Sequence, residues 1–306
     1  MSDYDIAVIG AGPAGLTAAQ YSARANLKVL VLESTAMGGQ ALTIDTLENY
    51  PGITGKSGYE FAVDLHRQAE SFGAAFLFGA VESLIKEGTS FKISLADGGA
   101  VNARAVIAAT GSKPRLLDIP GEKEFTGKGV SYCATCDGNF FKRKKIFVVG
   151  GGDAACDEAR YLSRLTDNVI LVHRRDSFRA QKALVHRTLN NPNIRVYFNT
   201  VINKIRGDQK VKSVVLTNVS DKKTYEEEAD AVFIFAGTVP QSELVARLNV
   251  NLDNDGYIIT DQKMATNVAG LFAAGDIRSG AFRQVITAAA DGAMAAHSAA
   301  EYIDGL

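Results

Sequence analysis

Short apolar runs, several closed by glycines and leading into amphipathic or alanine-rich stretches, recur along this chain. Asp5-Ile6-Ala7-Val8-Ile9 predicts a buried strand, and Gly10-Ala11-Gly12-Pro13-Ala14-Gly15 leads from it into a helix through about Arg24. Lys28 to Leu32 predicts the next strand, ending at Glu33, and Gly38-Gly39-Gln40 and Glu48-Asn49-Tyr50-Pro51-Gly52 read as loops. Tyr59 to Phe72 has the periodicity of an amphipathic helix. Val81 to Ile85, Phe91 to Leu95 and Val101 to Asn102 alternate like an antiparallel meander. Ala105 to Ala109 is a further buried strand, closed by Thr110-Gly111.

The pattern then begins again. Lys145 to Val149 predicts a strand, Gly150-Gly151-Gly152-Asp153-Ala154-Ala155 repeats the glycine turn almost register for register, and Val169 to Val172 is the following strand. Short β-rich segments fill the stretch from about Ile194 to Phe235. Gly270 to Asp276 reads as a strand ending in an acid, and a last helix runs from about Arg283 to Tyr302. Proline and glycine at Lys113-Pro114, Ile119-Pro120-Gly121 and Gly237-Thr238-Val239-Pro240 mark boundaries. The expected fold is α/β, with two Rossmann-like three-layer nucleotide-binding domains. The first is discontinuous, spanning 1–114 and 241–306, and the second spans 115–240.

Composition narrows the function. The 306 residues are 46% hydrophobic and 22% charged with a formal net charge of −1, so no polyanion is implied and nucleic acid is not an expected partner. The apolar runs are far too short to span a bilayer, so no membrane is expected. Asp3 and Asp5 stand where a signal peptide would carry basic residues, and a cytoplasmic protein is expected.

The two glycine turns carry the first chemistry. Glycines there permit a tight turn and close approach of backbone to a pyrophosphate at a helix N-terminus. Glu33, eighteen residues after Gly15, accepts hydrogen bonds from ribose hydroxyls and repels a 2′-phosphate, so the first unit suits FAD or NAD. The second unit ends its second strand in His173-Arg174-Arg175, with Arg179 expected on the first turn of a helix. Guanidinium forks bind phosphate, so this unit suits NADPH. Arginines merely exposed to solvent are the alternative.

The second chemistry is Cys133-Ala134-Thr135-Cys136-Asp137-Gly138: two thiols that can open and close a disulfide, followed by an acid that can move the proton. Taken alone the motif leaves three alternatives open: a zinc site, a static structural disulfide, and two buried cysteines acting as small hydrophobes. Gly38-Gly39-Gln40 and the loop at Asn49 are equally compatible with surface turns and with a wrap around a large flat ligand. Cys156 reads as a buried filler, Lys142 to Lys145 as a solvated approach to a strand, and Glu226 to Glu228 as a solvated turn or strand edge.

Gly10 to Gly15, Gly38-Gly39-Gln40, Ala109-Thr110-Gly111, the Cys133–Gly138 motif, His173-Arg174-Arg175 with Arg179, and Ala274-Gly275-Asp276 with Arg283-Gln284 together resemble the low-molecular-weight thioredoxin reductases, over essentially the whole chain. The resemblance implies FAD in the first domain, NADPH in the second, thioredoxin as the protein reduced, and a homodimer. It implies FAD contacts at Gly10, Gly12, Pro13, Ala14, Gly15, Glu33, Gly38, Gly39, Gln40, Asn49, Val81, Thr110, Gly111, Gly275 and Asp276, and at Arg283, Gln284 and Val285 at the start of the last helix. NADPH contacts are implied at Gly150, Gly152, Asp153, Ala154, His173, Arg174, Arg175, Arg179 and Gly237. By the same resemblance Cys136 faces the flavin, Cys133 attacks the substrate and Asp137 is acid and base. The resemblance also implies that the small domain rotates, with hinges near Lys113-Pro114 and Thr238 to Pro240. Ala154, Asp157 and Asn139 depart from the common pattern, the last beside a docking loop that includes Phe140 and Phe141. A related dithiol oxidase, a ferredoxin-fed reductase and a non-catalytic redox sensor are the rival readings.

Overall fold

The computed structural model describes residues 3–44, 46–47 and 49–305. By internal packing the chain divides into two compact units, Met1–Lys113 with Val239–Leu306, and Pro114–Thr238.

In the first unit, β1 (Tyr4–Ile9) leads through the glycine turn to α1 (Pro13–Arg24) and β2 (Val29–Glu33). A short 3₁₀ turn (Gly39–Thr43) stands where a loop was expected, because Gly38 and Gly39 both take positive φ and coil the chain tightly. Helix α2 (Gly58–Ser71) starts on a reciprocal cap: the Ser57 hydroxyl accepts from the Glu60 amide while the Glu60 carboxylate accepts from the Ser57 amide. Such a cap stabilises a helix by about 1 kcal/mol.

Strands β3 (Ala75–Phe78), β4 (Val81–Glu87), β5 (Ser90–Leu95) and β6 (Ala100–Ala108) follow. The expected separate strands at Val101–Asn102 and Ala105–Ala109 are one strand. Its first half pairs antiparallel with β5 (Phe91 opposite Ala103) and its second half lies parallel to β1 (Val8 opposite Ile107). Strand β7 (Ser112–Pro114) carries the chain out of the unit.

The second unit contains β8 (Val130–Ser131), α3 (Ala134–Asp137), β9 (Ile146–Gly150), α4 (Asp153–Leu162), β10 (Val169–Val172), α5 (Lys182–Leu189) and β11 (Ile194–Tyr197). It continues through β12 (Thr200–Gly207), β13 (Val211–Asn218), β14 (Thr224–Glu228) and β15 (Ala231–Phe235). The chain leaves through β16 (Thr238–Pro240), and α6 (Glu243–Ala246), β17 (Leu271–Ala273) and α7 (Val285–Asp304) belong to the first unit.

The two units repeat one design. In the first, β3-β2-β1-β6 are parallel, with β17 parallel on β6. In the second the parallel order is β11-β10-β9-β15-β8. Side chains alternate across each sheet, which sorts each core into two layers. Ile6 and Val8 face α1, α2 and α7, whereas Ala7 and Ile9 face Leu84, Phe91 and Ile93 of the meander. Ile146 and Val148 face Ala155, Ala159 and Leu162 of α4, and Phe147 faces Ile202, Val214 and Leu216. Helices cover one face of each sheet and an antiparallel meander the other, giving three layers twice.

Small residues set how closely the helices approach. A Cβ at Gly292 of α7 would fall 2.1 Å from the Ala14 carbonyl oxygen of α1. Among the described residues no helix is long and apolar enough to cross a membrane.

Candidate functional site

Both glycine turns are built alike, and each leaves one open face. Gly10 and Gly150 hold φ of +101° and +152°, and a Cβ on either would meet a carbonyl oxygen at 2.5 Å, that of Ala109 and of Phe235 respectively. A Cβ on Gly15 would lie 1.9 Å from the Gly10 oxygen, which forces α1 against the turn. Nothing lies within 4 Å of a Cβ built on Gly12 or Gly152. These two positions open toward space at the N-termini of α1 and α4, where backbone amides lack intrahelical partners. Pro13 at the first position of α1 has no amide to satisfy there.

The segments that follow the first turn converge on it. The Gly38 amide donates to the Ala11 oxygen (2.7 Å), and a Cβ on Gly39 would lie 3.2 Å from the Gly12 Cα. Gln40 Nε2 donates to the Ser112 carbonyl oxygen (2.8 Å), and Asn49 Nδ2 donates to Gln284 Oε1 (2.8 Å). Thr110 and Gln241 exchange two hydrogen bonds, and the Gly111 oxygen accepts from the Gln241 amide. A Cβ on Gly275 would approach the Ala14 Cβ to 2.9 Å, so Gly275-Asp276 lies beside the first turn of α1. Of the two loops that the sequence left undecided, Gly38-Gly39-Gln40 thus lies against the glycine turn, and Asn49 reaches the cap of the last helix.

Glu33 is buried at the end of β2. Its Oε2 accepts from the Ala11 amide (2.8 Å), and its Oε1 accepts from the Thr35 amide (2.8 Å) and hydroxyl (3.0 Å). The carboxylate is thereby fixed against the glycine turn with one acceptor position left on Oε2 for a ribose hydroxyl. Asp276 is half-buried, and its carboxyl is pushed above the usual range by burial, with Arg283 opposing and Asp291 adding to the shift. The Val81 side chain packs into the apolar layer of the meander.

The last helix begins later than expected. Arg283 has φ +55° and stacks its guanidinium 4.3 Å from the Tyr257 ring centroid, Gln284 is the cap, and Val285 is the first helical residue. The Gln284 amide is taken by the Thr287 hydroxyl (3.2 Å). The Gln284 side chain accepts the Thr287 amide and its carbonyl oxygen the Ala288 amide, so the amides that the helix start can present are those of Val285 and Ile286.

In the second unit His173 is buried, and a Cβ on Gly151 would collide with its ring at 2.1 Å. Burial lowers its pKa, a backbone hydrogen bond with Ser177 opposes this, and Arg179, Arg175 and Arg174 lower it further, so the ring is neutral. Its Nε2 has no hydrogen-bond partner among the described residues. Arg174, Arg175 and Arg179 are exposed beyond β10 and have no ion-pair partner among the described residues.

Arg179 does not sit on a helix. Asp153 at the start of α4 accepts from the Gln181 amide (2.7 Å) and side chain (3.0 Å), which holds residue 181 extended and delays α5 until Lys182. The Arg179 amide instead donates to the Gly151 oxygen (2.8 Å), which brings it to the glycine turn by another route. Ala154 is exposed, and Gly237 has φ +107° with its oxygen accepting from the Arg115 amide.

Cys133 and Cys136 form a disulfide in this second unit. Cys133 caps α3 and is half-buried, while Cys136 is exposed. The Ser131 hydroxyl accepts from the Cys133 amide (3.1 Å) and donates to its carbonyl oxygen (3.2 Å), and the Cys136 amide donates to Cys133 Sγ (3.1 Å). Ala134 is fully buried, and a Cβ on Gly138 would meet Leu162 at 2.9 Å, so the motif is packed directly on α4. Asp137 is half-buried one residue after the disulfide. The two phenylalanines that follow diverge: Phe140 is 79% exposed, whereas Phe141 packs edge-on against Phe233 of the sheet. Cys156 is a buried free thiol whose pKa burial pushes up to about 11, in keeping with a filler.

Sequence reasoning missed four residues that shape these sites. Asp291 and Arg278 tie Gly275 to α7, and Glu122 and Tyr132 lie behind Cys133. An acid in the alanine-rich stretch Ala288 to Ala296 was a legible signal for Asp291; Glu122, in a Pro-Gly loop, carried none.

The chain was also compared whole with known proteins. The profile of the pyridine nucleotide-disulphide oxidoreductases matches residues 4–292. A thioredoxin reductase of Treponema pallidum (strain Nichols) is 55% identical over 306 residues, covering 100% of this chain and 99% of its own. The chain belongs to the thioredoxin reductase family. The crystal structure of the Lactococcus lactis thioredoxin reductase superposes with a TM-score of 0.96 at 41% identity, covering 99% of this chain and 100% of its own. That of T. acidophilum gives 0.92 at 34%, covering 100% and 99%.

The family works with FAD and NADPH, and the residues present suit both. Gly12 leaves an open cradle at the start of α1, beside a carboxylate that matches a ribose hydroxyl. Gly152 opens beside three guanidinium groups that match a 2′-phosphate.

Proposed function

We propose that this chain reduces oxidised thioredoxin with electrons from NADPH, through FAD held by the first unit and the Cys133–Cys136 disulfide of the second. The observation that carries the reading is the contrast at the ends of β2 and β10. A fixed buried carboxylate follows one glycine turn, and three guanidiniums without acid partners among the described residues follow its twin. FAD, when bound, supplies the two-electron relay between the nicotinamide and the disulfide.

The chain's own residues do the rest. Arg174, Arg175 and Arg179 clamp the 2′-phosphate, and Gly150, Gly152, Asp153, Ala154 and Gly237 line the nucleotide's path. Glu33 would hold the FAD ribose, and Val285 and Ile286 would offer their backbone amides to the flavin. Cys136 takes up electrons from the flavin side, Cys133 attacks the thioredoxin disulfide, and Asp137 hands a proton to the leaving thiolate. Thioredoxin lies near a potential of about −270 mV, so its donor must be strongly reducing, as a nicotinamide is.

NADPH clamp and disulfide both belong to Pro114–Thr238. Each must reach one flavin in turn, so this unit rotates about the crossings in β7 and β16. The same family reading makes the protein a cytoplasmic homodimer.

The test is steady-state turnover of purified yellow protein. NADPH oxidation should depend on added thioredoxin, continue for many cycles, and be strongly preferred over NADH oxidation. NADPH oxidation limited to one equivalent per subunit would instead identify a redox sensor.

A further inference from the structure

Glu122 is an acid with no exposure at all, and no cation lies within ion-pair range of it among the described residues. Three hydrogen bonds compensate its burial. Oε1 accepts from the Leu117 amide (2.9 Å) and the Tyr132 hydroxyl (2.9 Å), and Oε2 accepts from the Ile119 amide (3.4 Å). Its own carbonyl oxygen accepts from Thr126 Oγ1 (2.8 Å), which closes the turn behind it. A buried carboxylate satisfied only by neutral donors is costly to assemble. Its partners show what it holds: the backbone of 117–119 on one side and, on the other, the residue next to Cys133.

Cys133 is fixed from two directions. The Ser131 hydroxyl bridges its amide and carbonyl, and the Tyr132 side chain runs back to Glu122. In this position Cys133 Sγ accepts the Cys136 amide at 3.1 Å. While the disulfide is closed the S–S bond keeps the two residues together. Opening it takes two electrons, supplied by the nicotinamide donor, and one proton, leaving one thiol and one thiolate. The covalent restraint is then gone, and α3, four residues long, has little cohesion of its own.

We propose that Glu122, acting through the Tyr132 hydroxyl, is a positioning residue for the redox pair: it keeps the Cys133 sulfur on the Cys136 amide once the disulfide has opened. The proposal rests on the reading of Cys133–Cys136 as the working disulfide. The hydrogen bond stabilises the anionic form of Cys133, which is the form that attacks. Burial and then the hydrogen bond to Glu122 hold the Tyr132 phenol neutral and donating. Among the described residues, Asp137 lies on the pair's own segment and α4 presents Tyr161 to Gly138.

The experiment uses flavin-loaded protein reduced with dithiothreitol. It measures iodoacetamide alkylation at Cys133 as a function of pH, with the site resolved by peptide mass. The midpoint of such a profile is independent of how accessible the sulfur is. Tyr132→Phe removes one hydroxyl and leaves Glu122 its two amide partners. It should raise the midpoint by about half a pH unit, a roughly threefold smaller thiolate fraction below it, the size expected for one lost hydrogen bond. Glu122→Gln should do the same, and the double variant should add nothing further. An unmoved or lowered midpoint in folded Tyr132→Phe overturns the proposal, even if the variant melts earlier. NADPH-driven bleaching of the flavin, measured on the same samples, reports separately on the proposed function.

Discussion

Arg278 Nη1 lies 2.6 Å from Asp291 Oδ2, and the same oxygen accepts the Gly275 amide at 3.1 Å. One carboxylate on α7 therefore fixes the loop that carries Asp276, and Arg278 Nε is held in turn by the Thr260 hydroxyl (2.8 Å). Both charged side chains are only 15% exposed.

Asp291→Ala leaves a guanidinium and a backbone amide without their acceptor. A loss of about 2 to 3 kcal/mol is expected, the cost of removing hydrogen bonds to a charged partner. Because the loop borders the Gly12 cradle, the purified variant should also hold less flavin per chain. Thermal melting and the ratio of flavin to protein absorbance check the two effects; full flavin content with an unchanged melt would show that the pair does not order the loop.

Arg174→Ala with Arg175→Ala removes two of three exposed guanidiniums. KM for NADPH should rise by about 10- to 100-fold, as for loss of about 1.5 to 3 kcal/mol of charge-assisted bonding, while KM for NADH stays nearly unchanged. Parallel kinetics with the two nucleotides read the difference. An equal rise for both would place the arginines outside the phosphate site.

Phe140 and Phe141 should separate cleanly. Phe140→Ala removes an exposed ring and should raise KM for thioredoxin several-fold with no change in melting temperature. Phe141→Ala removes a ring packed on Phe233 and should cost about 2 to 3 kcal/mol of stability. The reverse pattern would reassign the docking residue.

Glu158 on α4 has its carboxyl raised to about 7, by burial first and then by the neighbouring Asp157. The folded state thus holds its proton where the unfolded chain, near 4.5, has released it. Stability should fall as pH climbs from about 4.5 to 7, by at most about 3 kcal/mol from this group. Glu158→Gln should flatten that slope in chemical denaturation at several pH values.

The strands at Tyr4–Ile9, Val29–Glu33, Ile146–Gly150 and Val169–Val172 were legible because buried parallel strands read as unbroken apolar runs. The glycine turns were legible because their backbone demands exclude other residues. Element ends fixed by remote contacts were not legible. The start of α5 depends on Asp153 reaching Gln181, and the start of α7 on Arg283 stacking over Tyr257. Strand β6 looked like two because its partners change along its length, from β5 to β17, which no local pattern records. The inward turn of Phe141 and the anchor at Glu122 are tertiary facts of the same kind.

Electron delivery through the cysteine pair is tested most directly by Cys136→Ser in anaerobic protein. NADPH should still bleach the flavin at a rate near that of the parent, while thioredoxin reduction falls to background. Thioredoxin reduced at the parent rate by this variant would contradict the assignment of Cys133–Cys136 as the path.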